Sequence, residues 1–288
     1  MSDLVYLYGV VPRGSPAARL LAERAVAGID GAAVRAVEEG DLAGAVSAVP
    51  AAHFDEAPLN RLVRDLSWLA PRAAAHQDVN AHLFAAGDAV LPVAFGAIFR
   101  DAAAVRRLLA DRQQDLVARL GRLRDRAEWI VTVQRDEAQA AAAVDRENAA
   151  VRRLLEELDA SSAGRAYLLR RRVDEERRRA LLRLDAEVVQ AVVARLAAHA
   201  EDLYREPLVR VGERPPALLD QADAAARAGP IARLSVLVRR DASAALLAAT
   251  DQLSGEYAPR GYALAVTGPW PPYRFGGLEP GAARDQEG

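Results

Sequence analysis

An apolar stretch that carries a proline and a glycine, residues 90–101, divides the chain. It lies between two long helical patterns and predicts a strand bent at Pro92 and Gly96, with Asp101 capping the next helix. Because proline cannot donate to a sheet ladder, we expect this strand at a sheet edge or at a bulge. The residues before it can form one compact unit, and the residues after it can form another.

The residues before this strand alternate between strand and helix patterns. Residues 4–11 are β-branched, aromatic and almost wholly apolar, which is typical of a buried strand. A Ser-Pro pair at residues 15–16 predicts a helix start, and residues 34–37 and 42–49 predict a hairpin. Residues 59–87 then carry apolar side chains at helical spacing. This order of strand, helix, strand, strand, helix and strand is typical of a ferredoxin-like fold.

The second half repeats this order with a larger helical part. The pattern predicts a strand at residues 128–133, followed by helices over residues 137–158 and 165–205. We expect these two helices to pack as an antiparallel, coiled-coil-like hairpin. The remaining strands are predicted at residues 208–211, 234–238 and 261–267.

These patterns together predict an α+β protein with two ferredoxin-like (βαββαβ) units, the second with a long antiparallel α-helical hairpin. We expect an N-terminal domain over residues 1–100 and a connecting helix over residues 101–125. A C-terminal domain should follow over residues 126–275, with its hairpin at about residues 137–205. Residues 276–288 are rich in glycine and charge and are expected to form a disordered tail.

The composition excludes several classes of protein. A net charge of −2 and a pI near 6.2 argue against a nucleic-acid-binding protein. The chain has no cysteine, which excludes disulfides and cysteine-based sites, and no lysine, which excludes a Walker-type phosphate loop. We expect no signal peptide, because no basic region precedes an apolar run, and no membrane-spanning helix.

Candidate catalytic and metal-binding residues are few. The chain has four histidines, which are His53, His76, His82 and His199. His76 and His82 are six residues apart and do not share a helix face, although Asp78 or Asp88 could join them in space. The acidic run at residues 174–176 is flanked by arginines, which favours ion pairing over acid–base chemistry. We therefore predict no catalytic site, no metal and no cofactor.

Two proline-containing motifs carry a resemblance to a known family. Residues 91–96 (LPVAFG) resemble the LPhRFG signature of the gas vesicle GvpF/GvpL family, with Ala94 in place of the usual arginine. Residues 267–275 (TGPWPPYRF) closely resemble the family ending TGPWPPYxF. Further segments that resemble the family are VYLYGV at residues 5–10, EWIVTV at residues 128–133 and GRAYLLRRR at residues 164–172.

The resemblance implies a non-enzymatic accessory protein of gas vesicle formation. Its implied partners are the small hydrophobic shell protein and other accessory proteins, and its implied location is the gas vesicle and the cytoplasm. It would act as an assembly factor of the chaperone or nucleation type, or as a minor vesicle component. The residues alone leave two other classes open, a coiled-coil adaptor with a ligand-binding ferredoxin-like domain and a small-molecule enzyme that uses His76.

The two motifs also supply the candidate partner-binding or structural residues. These are Leu91, Pro92, Phe95, Gly96, Gly268, Pro269, Trp270, Pro271, Pro272 and Tyr273. Three prolines within four residues stiffen the end motif. It either folds back onto the second sheet and completes its core, or it docks a partner. We expect the first, because tryptophan and tyrosine usually bury most of their surface.

Overall fold

The computed structural model of the chain shows a mixed α/β protein with two sheets and one long helix. It describes residues 3–23, 26–87, 89–208 and 228–278. These residues form two compact units, each with one sheet. The first unit holds the described residues up to Glu128 together with those from Gly268 onward, and the second holds the described residues between them.

The first unit is built on a sheet whose central strand is fully apolar. Its strands are β1 (Asp3–Pro12), β2 (Arg35–Glu39), β3 (Leu42–Pro50), β4 (Leu91–Pro92) and β5 (Ile98–Phe99). They are arranged in the order β2-β3-β1-β4, with β5 also on β1, and β1 is antiparallel to β3, β4 and β5. The predicted buried strand and the predicted hairpin are confirmed, since residues 5–11 are buried and β2 pairs with β3.

Side chains cap the N-termini of four of the six α-helices described in the first unit up to Leu123. They are α1 (Pro16–Ala22), α2 (Ala51–Phe54), α3 (Glu56–Leu62), α4 (Leu66–Ala86), α5 (Ala102–Asp111) and α6 (Gln113–Leu123). The predicted caps are confirmed, because the side chains of Ser15 and Asp101 accept hydrogen bonds from the first turns of α1 and α5.

Two predicted helices of this unit are each divided in the structure. The helix expected over residues 59–87 breaks into α3 and α4, because Asp65 accepts from the Ser67 backbone and starts a new helix. The single helix expected over residues 101–125 is formed by α5 and α6, which meet at Arg112. Both α5 and α6 belong to the first unit.

The second unit contains the longest helix of the chain. Its strands are β6 (Arg126–Asp136), β7 (Asp202–Glu206), β8 (Ala228–Arg239) and β9 (Tyr262–Trp270), although residues 126–128 of β6 and 268–270 of β9 belong to the first unit. Its helices are α7 (Glu137–Glu147), α8 (Ala149–Asp159), α9 (Ala163–Ala197) and α10 (Ser243–Tyr257). The sheet order is β7-β8-β6-β9, so it repeats the order of the first sheet. Asn148, which caps α8, divides the helix predicted over residues 137–158.

The segment after α9 corrects another prediction. The helix expected to reach residue 205 ends at Ala197, and Asp202–Glu206 instead form β7, antiparallel to β8. Pairing with β8 therefore overrides the helical pattern of these residues. The strand expected at residues 208–211 lies outside the described residues from residue 209 onward.

Helix α9 is fixed to its own unit by an apolar face and by ion pairs. The apolar side chains that recur at helical spacing along it are mostly buried, namely Leu169, Val173, Ala180, Val188 and Val192, while Leu184 is half-buried. Arg177 makes a two-pronged contact with Asp145 on α7, at 2.7 and 2.8 Å. Asp185 accepts from Arg135 on β6 at 2.5 Å and from the Tyr262 hydroxyl on β9 at 2.8 Å.

Two leucines of α9 test which face holds the fold together. Leu169 is only 3% exposed, so Leu169→Ala should lower the free energy of unfolding by about 2–5 kcal/mol through lost burial and a cavity. Leu182 is 63% exposed, so Leu182→Ala should change it by no more than about 0.5 kcal/mol. Urea unfolding followed by circular dichroism measures both, and equal losses would contradict this assignment of the two faces.

Candidate functional site

The first motif forms an interrupted edge of the first sheet. Pro92 pairs with Gly9 in β4, and Phe99 pairs with Val5 in β5, both against β1. Between them the chain bulges, and Gly96 has a φ of 95°, a backbone conformation that favours glycine. The predicted position at the sheet edge and the bends at Pro92 and Gly96 are confirmed, but the expected single strand is replaced by two short strands, β4 and β5, with a turn between them.

The end motif lies in the first unit, against the first motif. After β9, Pro271 and Pro272 are buried, and a short helix α11 (Tyr273–Gly276) leads to Leu278. The Leu278 backbone donates to the Pro92 carbonyl at 3.0 Å and accepts from the Ala94 amide at 2.9 Å. The expectation that this motif completes the core of the second sheet is therefore wrong for its last part, since residues 271–278 complete the first unit.

Three further contacts hold α11 in place. Glu128, which is buried, accepts from the Arg274 amide at 2.7 Å, and Arg122 donates to the Phe275 carbonyl at 3.1 Å. Gly276 is buried against Leu123 and Leu91. Residues 276–278, expected to begin a disordered tail, thus belong to the folded unit, and residues 279–288 lie outside the described residues.

An aromatic cluster lies behind the first motif. Its rings belong to Tyr6, Tyr8, Phe54, His76 and Phe95. The Gly96 amide donates to the Tyr6 hydroxyl at 3.0 Å, which leaves that hydroxyl free to donate to His76 Nδ1, also at 3.0 Å. These bonds connect the bulge to β1 and α4.

Burial sets the charge state of this cluster. It lowers the pKa of His76 to about 4, and a hydrogen bond with the Val93 backbone opposes this shift. Burial also raises the pKa of the Tyr273 hydroxyl, against the opposite influence of Asn80. Among the described residues, neither the Tyr273 hydroxyl nor Asn80 Oδ1 has a hydrogen-bond partner of ordinary geometry. Neutral, buried and enclosed by rings, His76 serves the packing of the first unit.

The ten candidate residues differ in their exposure. Leu91, Pro92, Pro271 and Pro272 are buried, Phe95, Gly96, Gly268 and Tyr273 are half-buried, and Pro269 and Trp270 are exposed. The peptide bond between Gly268 and Pro269 is cis. The structure therefore brings most of both motifs into one packed region and leaves Trp270, 38% exposed, at the surface.

Residues outside the ten candidates complete this region. Glu128, Gly276 and Leu278 make its central contacts. Glu128 opens one of the segments that resemble the family, which is a signal that could have identified it. Gly276 and Leu278 lie in a stretch whose composition indicates a tail, so no local signal identifies them.

The histidines do not form a metal site in the described part of the chain. His76 is buried, whereas His82 is exposed with its Nδ1 at 2.6 Å from the Asp78 carbonyl, and Asp88 lies outside the described residues. Within the described ranges, no three histidine or carboxylate side chains are grouped to hold a metal ion. Every described helix is too short or too polar to cross a bilayer.

Two glycines test the packing of α11. A Cβ at Gly276 would overlap the buried Leu123 and lie 3.2 Å from Leu91 Cδ2, so Gly276→Ala should cost about 1–3 kcal/mol. Gly121 faces open space on α6, so Gly121→Ala should instead stabilise by about 0.5–1 kcal/mol. Chemical unfolding of both variants measures the effects. Equal effects of the two substitutions would show that α11 is not packed on α6.

The buried histidine predicts a dependence of stability on pH. The pKa of His76 is about 4 in the folded chain and near its ordinary value of 6.5 in the unfolded chain. The unfolded chain therefore binds the proton first, and the free energy of unfolding should fall by up to about 3 kcal/mol as the pH drops from about 6.5 to about 4.

A glutamine variant isolates this contribution. Equilibrium unfolding across this range should show a smaller fall for His76→Gln than for the wild type. His82→Gln, at an exposed position on the same helix, is the control and should keep the wild-type fall. An unchanged slope in His76→Gln would contradict a neutral, buried His76.

Known proteins match the chain over nearly its whole length. The family described as gas vesicle synthesis protein GvpL/GvpF matches residues 4–276. Gas vesicle protein L of Streptomyces sp. (strain CB03234) is 36% identical over 273 residues, which cover 94% of this chain and 89% of that protein. Gas vesicle protein F of the same strain is 31% identical over 270 residues, which cover 94% and 98%.

Solved structures show the same fold at low sequence identity. The crystal structure of the gas vesicle protein GvpF from Anabaena sp. PCC7120 is 14% identical, with a TM-score of 0.67 over 96% of this chain and 98% of that one. GvpF from Microcystis aeruginosa, also 14% identical, gives a TM-score of 0.61 over 96% and 100%. The chain is similar to both protein L and protein F, and these two identities alone do not assign it to one of the two types. By its sequence and its fold, this chain belongs to the GvpL/GvpF family of gas vesicle synthesis proteins.

Proposed function

We propose that this protein is a non-enzymatic accessory factor of gas vesicle formation that binds the small hydrophobic shell protein and other accessory proteins. The observation that carries the proposal is the match to the gas vesicle synthesis family over residues 4–276. In this role it would act as a chaperone or nucleation factor, in the cytoplasm and on the vesicle, where it is a minor component.

Trp270 is the part of the motifs that we assign to partner contact. It is 38% exposed, whereas the prolines after it are buried in the first unit. Tryptophan is enriched in binding hot spots because it buries a large flat apolar area at low cost in side-chain entropy. An apolar shell subunit offers the matching chemistry. The rest of the motif region would then fix the orientation of Trp270.

We also infer that each unit is a ferredoxin-like domain, the second with an inserted helical hairpin. The order β2-β3-β1-β4 in the first sheet and β7-β8-β6-β9 in the second supports this inference. In a βαββαβ chain the third strand lies beside the first, as both sheets have it. Antiparallel pairing of β1 with β3 and β4 agrees with the same topology.

A deletion tests the role in vesicle formation. Removing the gene from a host that forms gas vesicles should lower their number or alter their shape, because shell subunits would lack a factor that holds or nucleates them. Electron microscopy measures both, and the intact gene supplied in trans should restore them. Vesicles unchanged in number and shape would argue against the proposed role.

A single substitution tests the proposed contact. Trp270→Ala should weaken retention of the purified shell subunit by about tenfold or more, since hot-spot truncations cost about 2 kcal/mol or more. Leu66→Ala is the matched control, because Leu66 is 54% exposed and also lies in the first unit. Retention that is equal in both variants would remove Trp270 from the contact, and no retention by the wild type would remove the shell subunit as a partner.

A further inference from the structure

Over its N-terminal half, helix α9 exposes an apolar and cationic stripe opposite the face that is buried in the same turns. Tyr167, Leu168 and Leu182 are 63%, 62% and 63% exposed, the highest values among the exposed large hydrophobic side chains of the described residues. At about 100° per residue, all three lie on one side of the helix. The helix needs none of them for its own packing, because Leu169, Val173 and Ala180 are buried on the other side.

Arginines fill the space between these apolar side chains. The same side of α9 carries Arg171, Arg172, Arg178 and Arg179, and two acidic residues, Glu175 and, at its edge, Asp174, which pairs with Arg177 at 3.3 Å. Glu175 pairs with both Arg178 and Arg179, the latter at 3.0 Å. Arg171 and Arg172 are exposed, and no carboxylate among the described residues lies within ion-pair distance of either. The stripe is thus clearly positive although the chain as a whole has a net charge of −2.

We propose that this stripe, from Tyr167 to Leu182, docks an acidic amphipathic helix of another protein. The stripe runs about 22 Å at about 1.5 Å per residue, and its side chains recur at helical spacing, as a partner helix would require. Leucines of that helix would cover Tyr167, Leu168 and Leu182. Its carboxylates would accept forked hydrogen bonds from Arg171 and Arg172.

The charge of the stripe disfavours the other occupants. A second copy of α9 would set arginine against arginine, which costs energy wherever water is excluded. A bilayer surface is bound by helices with a broad apolar face, whereas here Glu175 and four arginines separate Leu182 from the apolar pair. The proposal concerns the second unit and does not rest on the proposed binding of a shell subunit by Trp270 in the first.

Synthetic helical peptides test the proposal with the purified full chain. One peptide carries leucine on one face flanked by glutamate, and the other has arginine in place of each glutamate. The wild type should bind the acidic peptide about tenfold or more tightly than the basic one, and added salt should weaken that binding. Fluorescence anisotropy gives both dissociation constants.

Charge reversal makes the test specific to the stripe. The double variant Arg171→Glu/Arg172→Glu should bind the basic peptide more tightly than the acidic one. The double variant Tyr167→Ser/Leu168→Ser should bind both peptides more weakly than the wild type does. Arg106→Glu/Arg107→Glu is the matched control, with the same charge change at exposed positions on α5, and should keep the wild-type preference.

Three results would overturn the proposal. The first is equal binding of the two peptides, and the second is an effect of the control variant as large as that of the stripe variant. The third is binding of the wild type to vesicles of phosphatidylserine and phosphatidylcholine, or to itself by ultracentrifugation, with the same dependence on Arg171 and Arg172. A shell subunit that binds normally to the stripe variant would leave the proposed function intact in each case.

Discussion

Two backbone hydrogen bonds between Leu278 and the strand at Pro92 and Ala94 close the first sheet. Proline brings no donor to a ladder, and the bulge after it leaves neighbouring amide and carbonyl groups without strand partners. Unpaired backbone groups are costly where water cannot reach them. Leu278, itself buried, supplies a donor and an acceptor at this point, so the unit that begins with β1 is completed by residues from the far end of the chain.

This closure explains why the two proline motifs occur in one chain. Residues 91–96 provide an edge with a gap, and residues 271–278 provide the backbone and the apolar side chains that fill it. Neither segment satisfies its own backbone groups alone. The core of the first unit therefore depends on contacts between residues distant in sequence, and such contacts form slowly because a long loop must close first.

The local elements of the fold could be predicted, and the long-range ones could not. Ser15 and Asp101 cap helices by accepting hydrogen bonds from amides three residues away, and the continuous apolar run of β1 indicates a buried strand. A short window of sequence is therefore enough to predict these elements. The local pattern of residues 202–206 predicts the end of a helix, but these residues pair with β8. Because β8 is about 30 residues further along the chain, a short window of sequence does not include it. The candidate residues were found through their motifs, but only the fold separates the buried Pro271 and Pro272 from the exposed Trp270.

That separation changes what the motifs mean. A buried proline or glycine meets the geometric demands of its own chain, so its identity reports the fold and not the partner. Partner choice must then depend on side chains at the surface, and the ones we propose are the exposed Trp270 within the motifs and the arginine-rich side of α9 outside them. Trp270 can pack against a largely apolar surface, whereas Arg171 and Arg172, which have no carboxylate within ion-pair distance among the described residues, favour a negatively charged surface. Under the two proposals, the protein would contact an apolar shell subunit through Trp270 and an acidic helix of another protein through α9, each by different chemistry.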